Sequence, residues 1–254
     1  MGLRPVACIL CSCLLTAACG GGAPAVNTAN PPLTSLPLFD PLLNTTPQTL
    51  ALVGINDANS SAVRQTGSLT GVAISGTLLD GTVDQANSRV ALSGGGAASL
   101  TTNAAASQAF GFSTGSIFGV AGIPATSLPG GNKATYTGQV TVVVQDDILS
   151  EVMTGALTAN ANFRNSLISL NAPSINSTNR SGALQITNAS IVGTRISGGQ
   201  FDLTGNFNNL PVNSRVTHAG QFFGATGQEI GGVIHKDETG SGNPLKVFGT
   251  YAAD

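Results

Sequence analysis

The chain has 254 residues, which is long enough for one or two domains with buried cores. Charged side chains make up only 9% of it, against about 25% in an ordinary soluble protein. The formal net charge is −2 and the lysines and arginines are scattered singly, which excludes a basic surface for nucleic acid. The polar residues are mainly Ser, Thr, Asn and Gly, which disfavour helix interiors, and we therefore expect an all-β protein.

The first residues have the three parts of an export signal: Arg4, an apolar run over residues 6–18, and small residues before Cys19. The run is too short to span a bilayer. Residues 15–19, with the sequence LTAAC, resemble the bacterial lipobox, in which the signal is cut before a cysteine that carries lipid. We therefore expect residues 1–18 to be a signal peptide and Cys19 to be the lipid attachment site. The alternative is an ordinary secretory signal cut near Ala18.

The residue after the lipidated cysteine predicts where the protein is sorted. Gly20 stands there in place of Asp, which, by resemblance to the sorting rules of Gram-negative bacteria, implies a lipid anchor in the outer membrane. The membrane is thus an expected partner through Cys19. The four cysteines all lie within the first nineteen residues, so the mature chain has none left for a disulfide or a cysteine metal site.

Residues 19–48 hold six of the twelve prolines and are predicted to form an extended tether. A β-rich, handle-like region is expected over residues 49–122. Within it, runs at residues 68–79 and 82–93 predict a hairpin that turns at Asp80-Gly81. The Gly- and Ala-rich segment 94–106 reads as a loop or a weak edge strand, and residues 103–109 as the one plausible short helix.

The C-terminal part, residues 123–254, begins with a Pro- and Gly-containing boundary and continues with short strand candidates that are close together in sequence. Such a meander must pair its edge strands or leave them open to aggregation, and closing into a barrel removes the edges. We expect an eight-stranded antiparallel barrel. The eight candidate strands are residues 134–145, 153–163, 166–172, 183–190, 200–207, 215–224, 230–236 and 245–252.

A motif near the end carries a family resemblance. Phe222, Phe223, Gly224, Glu229, Gly231 and Gly232, followed by the VFG of residues 247–249, resemble the closing strands of the C-lobe barrel in surface lipoproteins like transferrin-binding protein B and factor H-binding protein. The ATYTG of residues 134–138 resembles that barrel's opening strand. The resemblance implies an eight-stranded barrel preceded by a smaller β-rich handle. It also implies binding of a host protein, haem or another solute. The sequence departs from the family at Ala225, where Pro is usual, and at residues 250–251, where a basic residue is usual.

The motif residues also have a direct physical interpretation. Phe222 and Phe223 should point to opposite faces of a strand, one into the barrel and one towards the handle or tether. Gly231 and Gly232 permit a bulge or a close approach of strands. Glu229, beside a glycine-flanked turn, can accept backbone N–H bonds and is assigned a structural role.

The sequence contains only weak support for an enzymatic function. The GFSTG of residues 111–115 spells a nucleophile elbow, but a strand or loop rather than a helix follows it. Asp146, Asp147 and Glu151 could form a carboxylate pair, yet a solvated hairpin loop fits them better. We therefore expect no enzyme, no cofactor and no resident metal.

The two histidines are the candidate ligand-binding residues. If the hairpin over residues 215–236 is symmetric about Thr226-Gly227, His218 lies opposite His235, and the two imidazoles could hold a metal or haem. The alternative is that both occupy ordinary strand positions, on opposite faces if the register slips by one residue.

The sequence predicts a ligand-binding surface lipoprotein whose partner is an extracellular protein or a small solute. One alternative is a structural or adhesive envelope lipoprotein. A second is a membrane-embedded barrel of the acyltransferase type, which is disfavoured because the chain has no Trp and two Tyr, too few for aromatic girdles.

Overall fold

A computed structural model describes residues 46–56, 62–84, 87–101, 109–114, 117–145, 150–206, 216–237 and 245–254. All of these residues belong to one compact unit, Pro31–Asp254. They form antiparallel strands arranged in two closed barrels, which confirms the all-β class. Within the described residues, no helix has the length and apolar character needed to cross a membrane.

The first barrel is a simple meander. Each strand pairs antiparallel with the next one along the chain, and the last strand returns to pair with the first. Its strands are β1 (Gln48–Asn56), β2 (Ala62–Thr70), β3 (Ala73–Ser75), β4 (Gly81–Asp84), β5 (Arg89–Leu92), β6 (Ala97–Thr101), β7 (Ala109–Ser113) and β8 (Ile117–Gly122).

The second barrel contains nine strand segments: β9 (Lys133–Gln145), β10 (Ser150–Asn162), β11 (Leu167–Asn176), β12 (Ser181–Val192), β13 (Arg195–Ser197), β14 (Gln200–Gly205), β15 (Val216–Phe223), β16 (Glu229–Asp237) and β17 (Lys246–Ala253). Both β13 and β14 pair with β12, so they are two halves of one strand position. Gly198 and Gly199, with φ of 69° and 99°, separate the halves. Since β11 pairs with β12 and β17 with β9, eight strand positions close the ring.

Each barrel encloses its own apolar core. Leu50, Leu52, Phe110 and Phe112 fill the first barrel. The second core follows from alternation along long strands, because in β9 Tyr136, Val140, Val142 and Val144 are buried on one face while the residues between them are more exposed. Period-two burial of this kind is what a sheet with one wet face requires.

A third apolar cluster joins the two barrels. It packs the outer surface of the first barrel, including Val53 and Val120, against Ala219, Phe223 and Val233 of the second. Next to it, the rings of Phe118 and Phe248 meet with their centroids 4.3 Å apart. Consequently β15, β16 and β17 are covered on both faces, by their own core and by the neighbouring barrel.

Each of the eight strand candidates in the C-terminal region overlaps an observed strand. The sequence missed β13, a three-residue strand beside two glycines. It also missed the closure of the handle-like region into a barrel of its own.

A hairpin does join β3 to β4, but its connection is residues 76–80, so the turn expected at Asp80-Gly81 is wrong. Gly81 begins β4 and is a buried strand residue, whose added Cβ would collide with the Ala91 carbonyl oxygen. A further turn at Gly71, with φ of 58°, divides the first expected run into β2 and β3. Gly81 serves close packing rather than a turn, a distinction that the dipeptide pattern does not carry.

The Gly- and Ala-rich segment contains a true strand, β6, paired with β5 and β7. Most of the expected helix at residues 103–109 lies outside the described residues, and its last residue, Ala109, begins β7.

Deletion of residues 245–254 should open the second barrel, because β17 pairs along its length with both β16 and β9. We expect amide hydrogens throughout β9 and β16 to lose protection from exchange, measured by mass spectrometry. Substitution of the exposed Arg164, in the β10–β11 connection, is the control and should leave protection unchanged. Protected β9 amides in the truncated chain would contradict the closed ring.

Candidate functional site

The closing hairpin β15–β16 places its motif residues on both sides of the sheet. Phe222 is buried in the second barrel's core, whereas Phe223 is buried in the cluster between the barrels. This is the arrangement that strand alternation predicts. The hairpin's end is tied to the segment linking the barrels, since the amide of Ala125 donates to the Phe222 carbonyl at 3.0 Å and that of Gly224 donates to the Ile123 carbonyl at 2.9 Å.

The motif glycines allow close approach rather than a bulge. The β15–β16 and β16–β17 ladders run through Gly231 and Gly232 without a register shift. A Cβ on Gly232 would lie 2.5 Å from the Tyr251 hydroxyl, and one on Gly220 would meet the same oxygen. These two glycines therefore make room for the Tyr251 ring inside the second barrel. Gly231 faces the other side, against Phe223 and Val120.

The register expected for the histidine pair is wrong by one residue. Thr217, not His218, lies opposite His235, and His218 lies opposite Ile234. The reason is the connection of five residues, 224–228, between β15 and β16, with positive φ at Gly224 and Gly227. A connection with an odd number of residues centres the hairpin on one residue, Thr226, whereas the expected register was centred on the bond between Thr226 and Gly227. The two imidazoles consequently project from opposite faces of the sheet and cannot share a ligand.

His218 points into the second barrel and is 5% exposed. Its Nδ1 lies 2.7 Å from the Gly198 carbonyl oxygen and its Nε2 lies 2.8 Å from the Tyr251 hydroxyl. Because a carbonyl can only accept, Nδ1 carries the proton, and the Tyr251 hydroxyl donates to Nε2. Burial lowers the pKa of His218 to about 4 and raises the pKa of Tyr251. The pair is a satisfied, neutral part of the core.

His235 is buried on the opposite face, at 2% exposure, next to Phe248 on the neighbouring strand. Glu229 is also buried, at 3% exposure, where β16 begins opposite Phe223. Among the described residues no group of three or more His, Cys, Asp or Glu side chains is placed to hold a metal ion.

Arg64 connects the two barrels. It projects from the first barrel, on β2, and its Nη2 donates to the carbonyls of Ile196, at 2.6 Å, and Gly220, at 3.2 Å, in the second. Burial lowers the pKa of Arg64, and the positive charge of Arg195 lowers it further. Charge-assisted hydrogen bonds to backbone oxygens compensate the loss of water around this guanidinium.

Beside Arg64 a pocket of about 250 Å³ opens between the barrels. Its walls come from β1 and β2 of the first barrel, from the linking segment, and from β15, β13 and the turn before β13 in the second. The residues that line it are Thr49, Leu50, Ala51, Leu52, Arg64, Gln65, Thr66, Pro124, Thr194, Arg195 and Gln221. The Arg195 and Thr66 side chains are exposed, so the pocket is open to solvent.

The end of the second barrel at which β9 ends and β10 begins carries a polar cluster. Glu151 accepts hydrogen bonds from the Ser177 hydroxyl and the Asn179 amide, and its carboxylate lies 3.9 Å from Nε of Arg180. Hydrogen bonds from Ser177 and Asn179 hold the pKa of Glu151 below its usual value, with a smaller contribution from the Arg180 charge. Glu151 thus fixes the β11–β12 connection, which gives this residue a structural role.

Several sequence expectations fall elsewhere. Cys19, residues 20–45 of the tether, and Asp146-Asp147 lie outside the described residues, and Gln48, the last residue expected in the tether, begins β1. Ser113 of the elbow-like motif belongs to β7, and its hydroxyl donates to the Thr114 carbonyl, while residues 115–116 lie outside the described residues. Sequence reasoning missed Arg64 and Arg195, because single arginines on separate strands leave no local pattern, and only the pairing of the barrels brings them together.

His218 should make stability depend on pH. Its pKa of about 4 in the folded chain lies below its ordinary value of 6.5, so on acidification the unfolded chain takes up this proton first. We expect the free energy of unfolding to fall as the pH drops from about 6.5 to about 4, by about 3 kcal/mol from this group.

The variant His218→Gln keeps a donor for Gly198 and an acceptor for Tyr251 but does not titrate. In urea unfolding measured across this pH range, its stability should therefore vary less steeply than that of the wild type. Equal slopes for the two proteins would show that His218 is not held neutral in the fold.

Comparisons with known proteins bear on the fold and the family. A family model described as the C-lobe and N-lobe beta barrels of Tf-binding protein B matches residues 128–254, which is half of the chain. No curated protein matches the sequence.

Solved structures resemble most of the chain at low sequence identity. Transferrin-binding protein B from Neisseria meningitidis is 14% identical, with a TM-score of 0.56, over 81% of this chain and 43% of its own. A variant of the Haemophilus parasuis protein is 13% identical, with a TM-score of 0.53, over 81% and 44%. The chain spans less than half of either protein. These structures share its fold, and with half of its residues matching the family model, the chain belongs to the family of C-lobe and N-lobe barrels of Tf-binding protein B.

Proposed function

We propose that this chain is a lipid-anchored protein of the outer-membrane surface that binds an extracellular protein through the outside of its barrels. In this proposal residues 1–18 are removed, Cys19 carries the lipid and residues 19–48 hold the barrels away from the membrane. The observation that carries the proposal is the lobe of two packed barrels, each filled by its own side chains, in a family defined by Tf-binding protein B.

The filled interiors favour recognition at the outer surface. Large side chains such as Phe110, Phe112, Phe222 and Tyr251 are fully buried inside the barrels. A ligand as large as haem would have to displace this packing, at a cost of several kcal/mol for each large side chain. Recognition of a protein at the surface requires no such change. The family and this packing both support a binding role rather than an enzymatic one.

The strand order supports one end of the second barrel as the recognition surface in this proposal. Since consecutive strands run in opposite directions, four of the connections begin and finish at the same end: residues 146–149, 177–180, 206–215 and 238–245. The connections at the opposite end, residues 163–166, 193–194 and 224–228, are shorter on average. Long connections on a rigid scaffold are where binding residues concentrate.

The similar structures suggest the first ligand to test. They are structures of transferrin-binding protein B, so a host protein such as transferrin is the natural starting candidate. A structural or adhesive envelope role remains the alternative, and it predicts no defined soluble partner.

The full-length lipoprotein, purified in non-ionic detergent, should retain a defined protein from host serum, identified by mass spectrometry. Replacement of residues 207–215 by a Gly-Ser linker of equal length should reduce capture about tenfold or more, as expected when central contacts are lost. Alanine substitution of Arg164 and Asn165, at the opposite end, is the matched control and should leave capture intact.

If the lipoprotein retains no defined protein from serum, the structural or adhesive role is favoured instead. Visible absorption of the same eluate tests for haem, whose copurification would contradict a protein-only ligand.

Replacement of Cys19 by Ser should abolish metabolic labelling with palmitate and release the chain from membranes, because acyl chains supply the anchor at about 0.8 kcal/mol per buried methylene. Cys13→Ser, within the expected signal peptide, is the control and should leave labelling unchanged. Persistent labelling of the Cys19 variant would refute the proposed attachment site.

A further inference from the structure

The pocket between the barrels has the composition of an anion site. Two of its lining residues, Arg64 and Arg195, are positively charged, and they come from different barrels. The other lining side chains among the described residues are uncharged. A pocket with two cations and no carboxylate in its described lining has an unbalanced positive charge that attracts small anions.

The two guanidinium groups retain unused hydrogen-bonding capacity. Nη2 of Arg64 is occupied by two backbone carbonyls, but its Nε is buried without a hydrogen-bond partner among the described residues. The Arg195 guanidinium has neither a hydrogen-bond nor an ion-pair partner in the described part of the chain. The exposed Arg195 guanidinium can donate to an oxyanion in the pocket, which offers several acceptor oxygens at once, and Arg64 adds its positive charge beside it.

Holding Arg64 in this place costs energy that a bound anion would recover. Its surroundings and the charge of Arg195 both lower its pKa, which means that they disfavour the charged form. If Arg64 served only to tie the barrels through backbone carbonyls, a second arginine in the same pocket would weaken the tie. A shared anion converts this repulsion between like charges into attraction.

The dimensions limit the ligand. At about 250 Å³ the pocket lies below the range of about 300–1,000 Å³ that is typical for drug-sized ligands. The hydroxyl of Thr194 and the amide of Gln221, 3.3 Å apart, provide neutral hydrogen-bonding groups in the same wall. A small oxygen-rich anion fits these walls, whereas a large planar cofactor does not.

We propose that the cleft between the barrels binds a small oxyanion, a carboxylate or a phosphate, through the guanidinium groups of Arg64 and Arg195. This site is separate from the protein-binding surface proposed above and does not depend on it. Its ligand would bridge the two barrels, because the binding groups belong to both.

The test is thermal unfolding and isothermal calorimetry of the full-length lipoprotein in non-ionic detergent, titrated separately with acetate, succinate, phosphate and sodium chloride at constant ionic strength. We expect saturable binding and a raised Tm with at least one oxyanion but not with chloride. A response to acetate or succinate alone identifies a carboxylate site, and a response to phosphate alone identifies a phosphate site.

The decisive variant is Arg195→Ala, because this side chain is exposed and has no hydrogen-bond or ion-pair partner among the described residues. Loss of one charge-assisted interaction should weaken oxyanion binding about tenfold or more. Arg164→Ala removes the same charge from an exposed turn of the second barrel and should bind as the wild type does. Arg195→Lys, which keeps the charge but loses the planar fork, should bind with intermediate affinity.

Equal behaviour of all four salts, or equal affinity of the wild type and Arg195→Ala, would overturn the proposal. A failure to retain serum protein would not bear on it, since the two measurements use different ligands and different surfaces.

Discussion

The structure depends on one part of the sheet that is buried on both of its faces. Strands β15, β16 and β17 turn one face into the second barrel and the other against β1, β7 and β8 of the first. In β16 every residue from Glu229 to Lys236 is buried, whereas β9 alternates between more buried and more exposed positions. A strand covered on both faces loses the freedom to place polar residues on alternate positions. The motif around Phe222 is the sequence consequence of this constraint.

Polar groups on the doubly buried strands must find partners within the protein. His218 meets this requirement on the core side through Gly198 and Tyr251, and the buried hydroxyl of Tyr251 is satisfied in the same contact. On the side facing the first barrel, the carbonyl of Gly220 accepts from Arg64. Strand β15 therefore has hydrogen-bonded polar groups on both faces. His218 bonds on the core face, and Arg64 bonds the carbonyl of Gly220 from the side of the first barrel.

The fold was more predictable from sequence than the site, for a physical reason. Strand alternation is local, and it marks strands with one wet face, such as β9, because these repeat every two residues, whereas the doubly covered strands β15 to β17 were located by the motif around Phe222 and the VFG of residues 247–249. Register is also set locally, by the loop, yet it changes with a single residue. The five-residue connection after Phe223 put Thr217, not His218, opposite His235.

The first barrel and the inter-barrel pocket could not be predicted from the sequence, for different reasons. Short strands such as β3 and β4 contain too few residues to show a period, and Gly81 resembles a turn glycine although it serves close packing against Ala91. Arg64 and Arg195 are 131 positions apart in the sequence. Nothing local marks either residue as functional. Their proximity results only from the docking of the two barrels.

This origin of the pocket ties its chemistry to the association of the barrels. Arg64 and Thr66 belong to the first barrel, and Arg195 and Gln221 to the second, so the complete set of binding groups exists only while the barrels are docked. A ligand that binds only the docked arrangement stabilises it by an amount that grows with the logarithm of ligand concentration. The apolar cluster around Phe223 supplies the attraction between the barrels, and the arginines introduce repulsion at its edge. An anion held between them would remove that repulsion and strengthen the interface on which the orientation of the second barrel depends.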